Sequence, residues 1–422
     1  MVPFLIFHFP HVFNFLGRGQ KSTKTMNISK FALLLSAFFL STTRMDPSTS
    51  TSTETSSSSS FSSSIVVHAL SQSIVVVGLN AALQRRFVLP PGADLEPGNV
   101  HRASKCDTGV GGKGQDVGVA LSCLMNYMTT KKEVGVGLHD IDVGIDAASG
   151  AYDSRRGRVI LAQFLGMGAE GDAVSIALTS KYGLRDESLT VRNAAPLRTC
   201  TTIVGANCAT ELVETSGEVT SDEMSALFDG IDELTSEAGK GGRGRGGADC
   251  VCVMGSMPPG CPEDTYADMV RRLADSGSLV LVDSVIGLGP LLKTLKSIFE
   301  NDDDDDDDDY GGDDSSNAAK RDGGGGAVLK LNAAELCKLG GVVRTSGESC
   351  RVTHDELSSS AKGFVSRYAD AVGALEYLCV TDGKVSLAGG GRSVPSRAEK
   401  KYNTRVRSYR FRRPTHDMKL SR

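Results

Sequence analysis

The 422 residues contain no CxxC pair, no histidine at zinc-ligand spacing beside a cysteine, and no apolar run long enough to span a bilayer. The first two absences remove the common zinc and dithiol frameworks. The third removes a membrane-spanning helix, which needs about 20 apolar residues. Also missing are GxxxxGK[ST], the phosphate loop of many nucleotide hydrolases, and a GxGxxG turn at the first strand-like run itself. Ten cysteines are present, and Cys250, Cys252 and Cys379 fall inside apolar runs, where a free thiol behaves as a small hydrophobe. A reduced interior is favoured over a disulfide framework. The net charge of −5 says little about partners, because acids and bases are segregated locally. What is abundant is glycine, 48 residues, with 40% hydrophobic residues. That is the composition of a globular chain with many turns, long enough for one large α/β domain or two average ones.

Residues 1–72 do not read as fold. "MNISKFALLLSAFFLSTTR" from Met26 has a basic flank, a short apolar run and small residues after it, followed by the almost purely hydroxylated "MDPSTSTSTETSSSSSFSSS". Such a segment resembles a signal or organelle-transit peptide, Ser-rich and poor in acids. Import into a plastid or another organelle is the expectation, with a disordered extension of a cytoplasmic protein as the alternative.

From Ser73 onward, short β-branched runs appear: "SIVVVGLN" (73–80), "VILAQFLG" (159–166), "DCVCVMGS" (249–256), "SLVLVDS" (278–284), "AVLKLN" (327–332) and "EYLCVTDG" (376–383). They are continuous rather than alternating, as strands buried on both faces are. Helical patterns lie between them. "CPEDTYADMVRRLADSG" carries Pro262 at its first turn, Gly277 as its stop and Tyr266, Met269, Val270 and Leu273 on one face. "DELSSSAKGFVSRYADAVG" places Leu357, Phe364, Val365, Tyr368 and Val372 likewise. This alternation predicts an α/β fold, a doubly wound, mostly parallel sheet flanked by helices. Three insertions interrupt it, at 129–158, 239–247 and 301–326. The last, with its aspartate run, reads as a solvated surface loop rather than a cation sink, since uninterrupted like charges repel.

Polar and glycine clusters recur at the carboxyl ends of the predicted strands: Asn80, then "GSMPPG" (255–260), Asp283, "KLNAAE" (330–335) and "TDG" (381–383). In an open parallel sheet that edge is where ligands bind. "TGVGGKGQDVGVAL" (108–121) adds a Gly-rich turn opening an apolar helix. Its backbone amides and Lys113 suit an anion or a polyol.

These residues resemble the PfkB-type carbohydrate kinases of ribokinase-like fold, closest to the branch acting on fructose 1-phosphate and tagatose 6-phosphate. "VVVGLNAALQRRFVL" is similar to the family's opening strand, and "LEPGNVHRASKCDTGVGGKGQDVGVAL" to its lid and GGKG segment. "FLGMGAEGDAVSIAL" is similar to the next strand–turn–helix, "TCTTIV" to a lid strand, "CVCVMGSMPPGCPEDTY" to GSLPPG and "LKLNAAEL" to KPNxxE. The resemblance runs from about Ser73 to about Gly383. It implies a small β lid and an ATP- and Mg2+-dependent transfer to a sugar or sugar-phosphate hydroxyl, with pairing of two lids into a homodimer. By position it implies that Asn80, Gly111, Gly112, Lys113 and Asp116 meet the acceptor sugar or its phosphate. Gly255, Ser256, Asp283, Lys330, Asn332, Glu335, Thr381 and Gly383 would line the ATP side, with Asn332 and Glu335 organising the metal.

Three positions depart from the family. Gln84 replaces the usual sugar-binding aspartate, Asp116 the asparagine after GGKG, and Leu331 the proline of the lysine motif. The largest departure is the family's last motif, GAGD, which supplies an anion hole and the catalytic base. It does not occur after Gly383. "GAEGD" (168–172) and "GGDD" (311–314) are misplaced for the role. From Lys384 the chain instead carries twelve Lys and Arg against two acids, with Tyr402, Tyr409 and Phe411 between arginines. A C-terminus altered by a retained intron, a frameshift or a wrong gene model is the favoured reading. Nucleic-acid binding by a non-catalytic, kinase-derived scaffold is the alternative.

Overall fold

A strand covered by helices on both faces can leave neither alternate set of its side chains in water, and the six apolar runs behave accordingly. The computed structural model describes residues 73–133, 158–185, 187–239, 247–300, 325–342, 352–385, 403–410 and 419–420. The N-terminal extension and most of the three insertions lie outside them. The apolar runs become β1 (Ser73–Asn80), β4 (Arg158–Met167), β8 (Cys250–Met254), β9 (Leu279–Asp283), β10 (Gly326–Asn332) and β11 (Leu375–Val385). With β5 (Thr190–Pro196) they form seven parallel strands in the order β11-β10-β9-β8-β1-β4-β5.

Side chains alternate between two cores. Ile74, Val76, Leu161, Cys250 and Cys252 pack with Val117, Leu121 and Met125 of α1 (Lys113–Glu133) and Val174 of α2 (Ala169–Ile176). Val75, Val77, Val251, Val253, Val280 and Val282 face the other layer. That layer comprises α3 (Ser221–Gly239), α4 (Thr265–Leu273), α5 (Leu288–Glu300), α6 (Ala333–Leu339) and α7 (His354–Arg367). The expected stripe of α4, Tyr266, Met269, Val270 and Leu273, is fully buried. Its ends differ from expectation. Pro262 sits in the turn before the helix, where its carbonyl accepts from the Thr265 hydroxyl at 2.7 Å, and the helix stops at Leu273 because Ala274 is extended.

A second, four-stranded sheet, β3-β2-β6-β7, grows from the carboxyl end of β1. β2 (Ala82–Val88) pairs antiparallel with β3 (Lys105–Gly111) and parallel with β6 (Thr199–Val204), which pairs antiparallel with β7 (Ala209–Val213). This is the expected lid. Beyond β11 the chain returns as β12 (Asn403–Arg410), antiparallel to it, with the short β13 (Lys419–Leu420) outermost. Part of the basic tail therefore extends the main sheet.

The chain leaves β1 toward β4 and β5 and later returns through β8 on β1's other flank. The reversal opens a crevice at the carboxyl ends of β1 and β8. At that edge α1 presses against the strand: a Cβ on Gly78 would come within 2.5 Å of the Gly114 Cα. Two glycines supply the close approach.

Candidate active site

The crevice gathers residues from five segments. Asn80 ends β1, and both ends of its amide are engaged. Its Nδ2 donates to Ser256 Oγ at 3.0 Å and its Oδ1 accepts from Ser216 Oγ at 2.6 Å. Asn80 thus ties the loop after β8 to the segment that returns from the lid. Arg198, ahead of β6, donates to the Asn80 carbonyl at 3.0 Å and the Ala81 carbonyl at 3.2 Å, fixing the lid's first hinge.

The Gly111–Gly112 turn opens α1. Gly112 has φ 105°, and a Cβ there would lie 2.3 Å from Gln115 Oε1. Only glycine fits both the backbone and the space. Gln115, fully buried, donates to the Gly78 carbonyl at 2.7 Å and to Gln163 Oε1 at 2.9 Å, and so locks the turn onto β1 and β4. Gly255, with φ 81°, lets the loop after β8 pass against the stem of Lys113, whose Cβ would be 3.3 Å from an added Cβ.

The charged centre is Asp283, at the end of β9 and 3% exposed. Lys330, almost as buried, donates to its Oδ2 at 2.8 Å, and Lys113 to its Oδ1 at 3.1 Å. Lys113 Nζ also lies 4.0 Å from Glu335 Oε1. Glu335 is placed by a capping box at the start of α6: its Oε2 accepts from the Asn332 N–H at 2.7 Å, and Asn332 Oδ1 accepts from the Glu335 N–H at 2.8 Å. Each carboxylate therefore spends one oxygen on an internal partner and turns the other toward Lys113. Thr381, on β11 beside β10, has its hydroxyl 3.5 Å from the Leu331 carbonyl, and Gly383 follows it on the same strand.

Lys113, Gly255, Asp283, Lys330, Asn332 and Glu335 thus come together, with Asn80 and Ser256 joined beside them. Asp116 is exposed on the first turn of α1. Gln84 bonds within the lid, donating to Thr202 Oγ1 at 3.0 Å. Gln115, Ser216 and Arg198 carry no sequence signal: their partners are backbone carbonyls or a single hydroxyl or amide far away in the chain. Among the described residues no three His, Cys, Asp or Glu side chains gather into a metal cage, and all nine described cysteines are free thiols. Hard cations take oxygen ligands, and Asp283 Oδ1 and Glu335 Oε1, converging on one ammonium, are such oxygens. A hard cation held here would have two carboxylate oxygens to meet, both of which the Lys113 ammonium now faces. A groove of about 730 Å³ lies elsewhere, between α4, α5 and the end of α7. Arg271, Lys293 and Arg367 are balanced there by Asp264, Asp268 and Asp370, and no residue is shared with the strand-end crevice.

No family model matches the chain, and no curated protein sequence matches it. Solved structures do. The tetrameric inhibited form of phosphofructokinase-2 from Escherichia coli is 16% identical, with 74% of each chain covered and a TM-score of 0.42. The same enzyme in complex with fructose-6-phosphate is 14% identical, with 78% of this chain and 81% of that chain covered at 0.41. A protein described as a possible 1-phosphofructokinase from Thermotoga maritima is 18% identical, with 80% and 77% covered at 0.42.

Proposed function

We propose that the chain is an ATP-dependent phosphotransferase acting on a hydroxyl of a sugar or sugar phosphate. The observation that carries this reading is the convergence of Lys113, Asp283, Lys330 and Glu335 at the strand-end crevice, where the small β sheet begins just after Asn80. Phosphoryl transfer needs little covalent chemistry from a protein, mainly positioning and neutralisation of the charge on the transferred group. A divalent cation held by Asp283 Oδ1 and Glu335 Oε1 would supply part of that neutralisation. Lys113, half exposed beside the Gly111–Gly112 turn, is the residue placed to meet a phosphate as a point charge. Lys330 is too buried to touch a ligand and holds Asp283 in place. Asn80 and Ser256 orient the loops between which an acceptor hydroxyl would sit. The ATP side is assigned to Gly255, Ser256, Asn332, Thr381 and Gly383, and the acceptor side to Gly111, Gly112 and Asp116.

A second reading, a kinase-derived binding protein, is favoured by one observation: beyond Gly383 the chain returns as a strand paired to β11. ADP release from ATP with Mg2+, measured on the purified chain over a panel of sugars and sugar phosphates, separates the two. ADP release that depends on one added acceptor supports the phosphotransferase. Nucleotide binding with no acceptor-dependent ADP supports the binding protein. The Ser-rich extension supports import into a plastid or another organelle, testable by imaging residues 1–72 fused to a fluorescent reporter.

A further inference from the structure

The two carboxylates of the crevice are not open to a cation as they stand. Asp283 Oδ2 is taken by Lys330 at 2.8 Å and Glu335 Oε2 by the Asn332 N–H at 2.7 Å. Their remaining oxygens, Asp283 Oδ1 and Glu335 Oε1, both face Lys113 Nζ, at 3.1 and 4.0 Å. The ammonium thus stands where two carboxylate oxygens would otherwise hold a metal ion. It is also the most exposed member of the group: the Lys113 side chain is 47% exposed, against 4% for Asp283 and 25% for Glu335. Its stem lies over Gly255, which offers no side chain to obstruct a swing.

We propose that Lys113 is a cation-released anion clamp. Without a metal its ammonium neutralises Asp283 and Glu335. A divalent cation at those two oxygens displaces the ammonium, which then faces the crevice as a free positive charge for a phosphate-bearing ligand. Cation and phosphate therefore bind with positive linkage, and the linkage is reciprocal. Lys113 acts here as the residue that couples the two ligands and disfavours an anion in the absence of metal. The inference rests on the reading that a divalent cation works at this crevice.

The test uses the full chain, with Mn2+ binding followed by electron paramagnetic resonance and inorganic phosphate binding by calorimetry. Lys113→Met removes the competing ammonium, so Mn2+ should bind about tenfold more tightly than to the unmodified chain, within the range common for coupled sites. In the unmodified chain Mg2+ should tighten phosphate binding at least about fivefold, and this gain should vanish in Lys113→Met. Lys113→Gln serves as a second variant, with circular dichroism checking the fold of both. If neither variant folds, the effect of Mg2+ on phosphate binding to the unmodified chain decides alone. Equal or weaker Mn2+ binding in the folded variants, or a phosphate affinity indifferent to Mg2+, overturns the clamp while leaving the cation site standing. Failure of both the unmodified chain and the folded variants to bind Mn2+ overturns both the clamp and the cation reading beneath it.

Discussion

Replacing Lys330 by Met separates the buried lysine of the crevice from the exposed one. The Lys330–Asp283 pair is 2.8 Å long, with its side chains 6% and 4% exposed. Removing one partner of such a pair strands a buried charge, at a cost of about 3–5 kcal/mol. Asp283 keeps Lys113, but that lysine is 47% exposed and its bond is screened by water, so it offsets little. Lys113→Met should accordingly cost no more than about 1 kcal/mol. In urea titrations followed by circular dichroism, with a slope of about 3 kcal/mol/M, Lys330→Met should lower the midpoint by about 1 M or more. Lys113→Met should barely move it. Joining Asp283→Leu to Lys330→Met should restore most of the loss, since two apolar side chains leave no charge uncompensated. A Lys330→Met midpoint as small in its shift as that of Lys113→Met would refute the assignment of the buried pair.

Three further outcomes follow from the same geometry. Gly78→Ala drives a Cβ to within 2.5 Å of the Gly114 Cα, a backbone clash that should cost about 1–3 kcal/mol or more. Gly109→Ala, with open space around the added Cβ, should stay within about 0.5 kcal/mol, and thermal melts compare the two. Asp94 accepts from the Asn207 backbone N–H at 2.9 Å and from its side-chain amide at 2.6 Å, which hold its carboxyl below the ordinary 3.8. Its contribution is complete above about pH 4 and is lost as pH falls through the depressed value. Amide protection factors at 205–208, corrected for the intrinsic exchange rate, should therefore fall on acidification, and Asp94→Asn should remove that dependence. Burial pushes the Cys261 and Cys379 thiols up to about 12, so at pH 8 neither should react with a disulfide reagent while exposed Cys106 and Cys208 do.

The main sheet was legible because its strands are continuous apolar runs: 73–80 is a strand from end to end, and the other runs shift by only a residue or two. Helix ends were less so. Pro262 and Gly277 look like start and stop signals, yet the helix begins at Thr265, after a turn closed on the Pro262 carbonyl, and ends at Leu273, because Ala274 is extended. β5, "TVRNAAP", and β7, "ATELV", are half polar and carry little periodicity. Their strand character comes from their neighbours β4 and β6. At the site, Asp283 and Glu335 announced themselves by position at strand ends, and Lys113 by the Gly-rich turn that opens a helix. Nothing in the sequence indicated that Lys113 would bridge the two acids, because residues 113, 283 and 335 meet only through the order of β8, β9 and β10 around α1. Gln115 reads as one more polar residue on a helix until the fold buries it between Gly78 and Gln163.

The central claim is that ligand binds at the strand-end crevice and not in the groove between α4, α5 and α7. Hydrogen exchange on the full chain, with and without ATP and Mg2+, tests it directly. The account predicts slowed exchange confined to the Gly111–Gly112 turn, residues 254–256, 330–335 and the end of β11. Protection appearing instead around Arg271, Lys293 and Arg367, with the crevice unchanged, would contradict it.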